Sequence, residues 1–243
     1  MSVAGVFRLG AGEVGPLQQS RVSCGAACLT VSRMMIDPGL TAWITRGVRG
    51  PGQPVDDRPA TMRFAEHERL VLARTNAARP RGTAWQLPWP SALGTPPWGA
   101  LGELENGAAA PGTHYRIGLL RGLHGPALRR SLEHVLACLQ PGAPALLYVG
   151  NATMPRHVTL LYLHDTDPEP DLYDPGTGRA GAVPLADLER GTCAISGWRR
   201  PWLAVYPRDE RRAGRELPAW WPSRVLGDLP AGALAREEVP PGR

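Results

Sequence analysis

The sequence predicts an α+β fold, with a helix near the N-terminus and an antiparallel sheet later in the chain. Apolar residues in 24–36 recur at helical spacing. Residues 145–149, 157–163, 171–174 and 201–206 form short apolar runs separated by polar turns, the pattern of consecutive antiparallel strands. Helix comes first and strands follow, which selects α+β among the layered architectures.

The first element is Cys24-Gly-Ala-Ala-Cys-Leu-Thr-Val-Ser-Arg-Met-Met-Ile36. Ala27, Cys28, Val31, Met34 and Met35 fall at i+3 and i+4 spacings, giving a helix buried along one side, and Pro38 and Gly39 stop it. Residues 63–77 form a second helix. Trp85-Gln-Leu-Pro-Trp-Pro90 and Gly94-Thr-Pro-Pro-Trp98 hold too many X-Pro pairs for a regular element. Pro96 and Pro97 open a helix over 98–105, which Asn106-Gly107 closes. Residues 114–120 read as a strand. Residues 127–139 are helical, with Leu128, Leu132, Val135, Leu136 and Leu139 on one face and Pro141-Gly142 at the end. The four strands already named follow, the 171–174 strand closed by Pro175-Gly-Thr-Gly178.

At 243 residues the chain buries a sizeable core without disulfides or metals. Its 29 Gly and 26 Pro predict long loops. One domain is expected over 1–207, with an insertion at about 40–93, and a charged, Pro-rich and partly ordered tail over 208–243 that includes Trp220-Trp221. The net charge is +5, and all 27 basic residues are Arg. They spread from Arg8 to Arg243 instead of clustering beside aromatic platforms, so a nucleic-acid partner is not expected. The Arg excess without Lys, with abundant Ala, Gly and Pro, fits a bacterial, GC-rich coding bias. The opening lacks a charged start and an apolar run, so no signal peptide is expected. No stretch is apolar enough to span a membrane. Four cysteines are too few for a disulfide scaffold, which points to a reducing cytoplasm, with signal-independent secretion as the alternative.

The chemistry centres on Gln18-Gln-Ser-Arg-Val-Ser-Cys24-Gly. Cys24 falls at a helix start, where unpaired N–H groups favour a thiolate, the reactive form of the side chain. Gly25 lets a substrate carbonyl approach the backbone. An upstream Gln can donate to a developing oxyanion, with the Cys24 N–H as the second donor. Gln18 is the first choice and Gln19 its competitor. His157 opens a strand 133 residues after Cys24, within the roughly 130–150 of a papain-type spacing. Asp174 ends the next strand and is expected to orient the imidazole through Nδ1.

In these residues the chain resembles papain-like cysteine peptidases, closest to the bacteriocin-processing branch that cleaves double-glycine leaders, without that branch's transporter fusion. The resemblance rests on Gln18 and Cys24-Gly-Ala-Ala-Cys-Leu, the strand Pro144-Ala-Leu-Leu-Tyr-Val149, His157-Val-Thr-Leu-Leu and Leu172-Tyr-Asp174-Pro-Gly-Thr-Gly178. It covers 18–36 and about 94–188. It implies a papain-like fold, with the nucleophile helix packed on the sheet that carries His and Asp. It also implies roles: Cys24 nucleophile, His157 base, Asp174 orienting carboxylate, Gln18 oxyanion donor. The branch usually has Asp before the Cys, where this chain has Ser23.

The implied activity is hydrolysis of a peptide or amide bond through an acyl-thioester, on a peptide or protein substrate. Two alternatives share the fold: an acyl transferase or deamidase acting as an effector or toxin, and an inactive binding module. No cofactor and no metal is expected, because His114, His124, His134 and His164 show no ligand spacing. The oligomeric state is left open. Cys28, one helical turn from Cys24, reads as core and not as a redox partner; Cys138 and Cys193 read as core or incidental. His164-Asp165 is a competing pair, set by alternation on the opposite face from His157. The Trp-rich segment 85–98 either packs on the body or walls the substrate cleft.

Overall fold

The structure is a computed structural model that describes residues 5–78, 86–87, 89, 94–164, 168–192 and 194–208. Among the described residues, six α-helices run Cys24–Met34 (α1), Pro38–Arg46 (α2), Ala60–Asn76 (α3), Pro97–Glu103 (α4), Gly125–Ala137 (α5) and Leu185–Arg190 (α6). Six strands run Tyr115–Leu119 (β1), Ala145–Gly150 (β2), Pro155–Tyr162 (β3), Asp171–Asp174 (β4), Arg179–Ala182 (β5) and Arg200–Pro207 (β6). The class is α+β. The strands form one sheet in the order β1-β6-β2-β3-β4-β5, with every described pairing antiparallel. The tail beyond 208, Trp85, Cys193 and Asp165 lie outside the described residues.

Period-two alternation splits the sheet between two cores. Leu146, Tyr148, Val158, Leu160, Tyr162, Tyr173 and Val205 join the cluster containing Ala27, Leu29 and Met34 of α1 and Phe64 and Val71 of α3. Leu147, Val149, Leu161, Leu172 and Ala204 join Leu128, Leu132 and Val135 of α5 and Leu188 of α6. Helices therefore cover both faces, and all of β2 is buried.

α1 was expected to bury one side; instead ten of its eleven residues are buried. It packs on β3 and is itself covered by α3. Small residues permit this close approach, and the polar ones bond locally. Thr30 Oγ1 donates to the Ala26 carbonyl at 2.8 Å and lies 3.2 Å from His67 Nδ1. Ser32 Oγ donates to the Ala108 carbonyl. Burial, then the Arg33 and Arg74 charges, depress His67 to about 4, so it is a neutral core residue at physiological pH.

Asp37-Pro38 does more than end α1. The Asp37 carboxylate accepts the Leu40 N–H at 2.9 Å, and Pro38 occupies the first turn, so the stop signal is also the N-cap of α2. The helix expected over 98–105 begins at Pro97 and ends in a π turn at Leu104–Ala108, with Gly107 at φ 138.

Candidate active site

Cys24 is the first residue of α1 and is 5% exposed. Ser23 precedes it without capping the helix; its hydroxyl donates to the Ser20 carbonyl at 3.0 Å and accepts the Ser20 N–H at 3.1 Å. The first-turn N–H groups thus have no side-chain cap, and their partial positive charge falls at the thiol. Gly25 lets α1 approach the chain crossing it. A Cβ there would lie 2.7 Å from Thr95 Cβ and 2.8 Å from Thr95 Oγ1.

His157 lies near the start of β3, opposite Val149 of β2. β3 and β4 pair with Leu160 opposite Tyr173, which carries the next residue, Asp174, to the same end of the sheet. His157 Nε2 lies 2.7 Å from Asp174 Oδ1, and both side chains are buried. This corrects the expected nitrogen: the carboxylate takes Nε2, leaving Nδ1 as the nitrogen open to a nucleophile. Burial alone would depress the imidazole. The hydrogen bond with Asp174, the nearby Cys24, and the charges of both outweigh it and raise His157 to about 9.

Asp174 is held from three sides. Besides His157 it accepts the Gly176 N–H at 2.9 Å and the Ser196 hydroxyl, whose Oγ lies 2.7 Å from Oδ2 and 2.9 Å from Oδ1. Burial favours its protonated form, but the bonds from His157 and Ser196, the His157 charge and the Gly176 N–H prevail and keep the carboxyl below its ordinary value. Ser196 reaches it from a two-residue hairpin whose flanks, Ile195 and Trp198, exchange backbone bonds at 2.9 Å. Its φ of 47 suits that tight turn but is unusual for a residue with a Cβ.

Gln18 reaches this end of the sheet by backbone pairing. Gly12, Gly15 and Gln18 donate to the carbonyls of Ala180, Gly178 and Pro175, so residues 12–18 run along the turn that follows Asp174. The half-buried Gln18 amide donates to the Ser20 carbonyl at 2.8 Å, and its Oε1 is buried without a partner. Gln19 is exposed, its amide turned back to the Leu17 carbonyl at 2.7 Å. Its backbone N–H instead meets both oxygens of Glu68, at 3.1 and 3.2 Å.

Ser196 and Glu68 escape a reading of the sequence. Ser196 stands in no motif, and its strained turn is invisible without coordinates. Glu68 sits within Ala60–Asn76 among charged neighbours, where it looks like one more solvated helix carboxylate.

Cys28 is fully buried, its Sγ 3.5 Å from the Val158 carbonyl. Burial, reinforced by the charges of Cys24, Asp174 and Glu68, pushes its thiol well above the ordinary range. Cys138 is buried beside His134. His164 bonds the Leu9 carbonyl at 2.8 Å and meets the Tyr162 ring edge-on at 5.2 Å, apart from the Cys24–His157–Asp174 group. Among the described residues, no group of three His, Cys, Asp or Glu side chains is placed to hold a metal ion. None of the described helices is long and apolar enough to cross a membrane.

Of the segment 85–98, residues 86–87, 89 and 94–98 are described. Trp89 and Trp98 meet edge-to-face at 5.2 Å, and Trp98 Nε1 donates to the Leu87 carbonyl at 3.0 Å. Tyr148 donates to the Thr95 carbonyl at 3.2 Å. The far end of the segment is thereby fixed against Gly25, beside the thiol. A cleft of about 710 Å³ edged by Arg121, Arg200 and Trp202 lies elsewhere and does not include Cys24.

No protein-family model and no curated protein matches this chain.

Proposed function

We propose that this protein is a cysteine-nucleophile hydrolase of papain-like type that cleaves a peptide or amide bond. One observation carries the reading: His157 bonds Asp174 through Nε2 at 2.7 Å, with Cys24 near enough to raise the imidazole and standing at the uncapped start of α1. The arrangement suits transfer of the thiol proton to the imidazole and attack by sulfur.

The Cys24 thiolate attacks the carbonyl carbon of the scissile bond. A C–S bond forms, and the C=O electron pair moves onto oxygen. Gln18 and the Cys24 N–H are the donors available to that oxyanion. As the pair returns, the C–N bond breaks and the imidazolium proton passes to the leaving amine. Neutral His157 then takes a proton from water, whose oxygen attacks the thioester carbonyl; the C–S bond breaks, the acid product departs, and the Cys24 thiolate is regenerated beside the imidazolium. Asp174, fixed by Ser196 and Gly176, holds the imidazole through Nε2 and leaves Nδ1 for these proton transfers.

The test is alkylation with an iodoacetamide probe, followed by peptide mapping and by intact mass of peptide substrates after incubation. Cys24 is the expected site of rapid labelling, and Cys24→Ala is expected to abolish both labelling and cleavage. Equal labelling without Cys24 would sink the reading. A mass gain of about 1 Da without scission would redirect it to deamidation, since hydrolysis of a side-chain amide proceeds through the same acyl-thioester.

A further inference from the structure

Glu68 is only 1% exposed, yet among the described residues no cation pairs with it. A buried carboxylate held by hydrogen bonds alone is costly to maintain, so its partners matter. Its two oxygens receive the Gln19 N–H at 3.1 and 3.2 Å, and Ser20, the next residue, exchanges two bonds with the Ser23 hydroxyl. Burial pushes the Glu68 carboxyl upward against the pull of Ser23 and the Gln19 N–H.

The position it grips is telling. Gln19 and Ser23 each stand one residue inside the two oxyanion donors, Gln18 and the Cys24 N–H. The other buried polar groups of α3 anchor elsewhere. Arg63 donates to the Ile44 and Asp56 carbonyls at 3.0 and 2.8 Å, and His67 meets Thr30. Glu68 is the one that fastens the chain between the donors, from a helix that lies outside the region of family resemblance.

We propose that Glu68 is a positioning residue that sets the separation of the two oxyanion donors, Gln18 and the Cys24 N–H, by holding Gln19, whose neighbour Ser20 is tied in turn to Ser23. This rests on the reading of Cys24 as a nucleophile. It separates two kinds of reactivity. Alkylation by iodoacetamide displaces iodide at a tetrahedral carbon and develops no oxyanion. Acylation by p-nitrophenyl acetate passes through one.

The experiment measures both rates in the full chain, in Glu68→Ala and Glu68→Gln, and in each combined with Gln18→Ala. Glu68→Ala is expected to slow acylation by about thirtyfold, with KM for the ester little changed, somewhat less than loss of a whole oxyanion donor. Alkylation at Cys24 should stay within about threefold of the parent, because it needs no donor. Glu68→Gln, which keeps one acceptor for the Gln19 N–H, should fall between. With Gln18 already replaced, losing Glu68 should cost less than about threefold, the coupling expected of a group acting through its neighbour. Parallel loss of both reactivities, or the same loss with and without Gln18, overturns the proposal. If Glu68→Ala fails to fold, Glu68→Gln decides by the same comparisons. A parent chain that is alkylated at Cys24 but never acylated overturns the hydrolase reading instead, before any variant is made.

Discussion

Ser196 holds Asp174 by both carboxylate oxygens, at 2.7 and 2.9 Å, from a turn residue with φ 47. The bond and the backbone geometry can be separated. Ser196→Ala removes the hydroxyl and keeps the unfavourable φ; Ser196→Gly removes both. A hydrogen bond to a charged group contributes about 1.5–3 kcal/mol, so both variants should lose acylation by roughly tenfold. Ser196→Gly should be the more stable of the two by up to about 1 kcal/mol in urea unfolding. Equal activity in Ser196→Ala and the parent would remove Ser196 from the site.

His157 makes stability depend on pH. Its folded pKa of about 9 stands above the ordinary 6.5. The sign follows from proton binding: the native state binds the extra proton more tightly. The contribution is therefore complete below about 6.5 and is lost as pH rises through about 9. At about 1.4 kcal/mol per unit it is on the order of 3 kcal/mol. His157→Gln should flatten the decline in unfolding free energy between about pH 6.5 and 9.5, measured by urea titration at each pH. A slope as steep as the parent's would contradict the assignment.

Gly25 and Thr95 form a contact with no room for a methyl group. Gly25→Ala would set a Cβ 2.7 Å from Thr95 Cβ, and such overpacking costs about 1–3 kcal/mol. Thr95→Gly deletes the opposing atoms and should restore most of that loss in the double variant. Thermal unfolding of the four chains gives the coupling directly.

Cys24 and Cys28 should respond oppositely to alkylation. Cys28 is fully buried, with its thiol pushed up, so brief iodoacetamide treatment should leave it unmodified in the native protein. Cys28→Ala is expected to cost about 1–2 kcal/mol of stability while Cys24 keeps its labelling rate. Modification of Cys28 ahead of Cys24, found by peptide mapping, would reverse the two roles.

The candidate site residues were legible because chemistry restricts their type and the fold restricts their order. Cys24 before a helical repeat, His157 opening a strand and Asp174 ending the next are each visible in one dimension. Their supports were not. Ser196 depends on a turn geometry, and Glu68 becomes special only once α3 covers α1. The choice between Nδ1 and Nε2 belongs to side-chain approach, which strand spacing does not contain. Among the elements, strongly periodic α5 and the apolar strands were found within about two residues of their ends. β5, with Arg179, Ala180, Gly181 and Ala182, has too little apolar alternation to announce itself, and α6 is too short for a periodic signal. α2 was hidden because Asp37 and Pro38 serve as stop and start at once.

The strand order also has a consequence in time. β6 is the last of the described strands yet sits between β1 and β2, and the hairpin bearing Ser196 immediately precedes it. A growing chain that has reached Asp174 has already produced Cys24 and His157. It still presents β2 with an unpartnered edge, and β1 has no neighbour. Closure waits for residues 200–207, so the candidate site should be completed only late in synthesis.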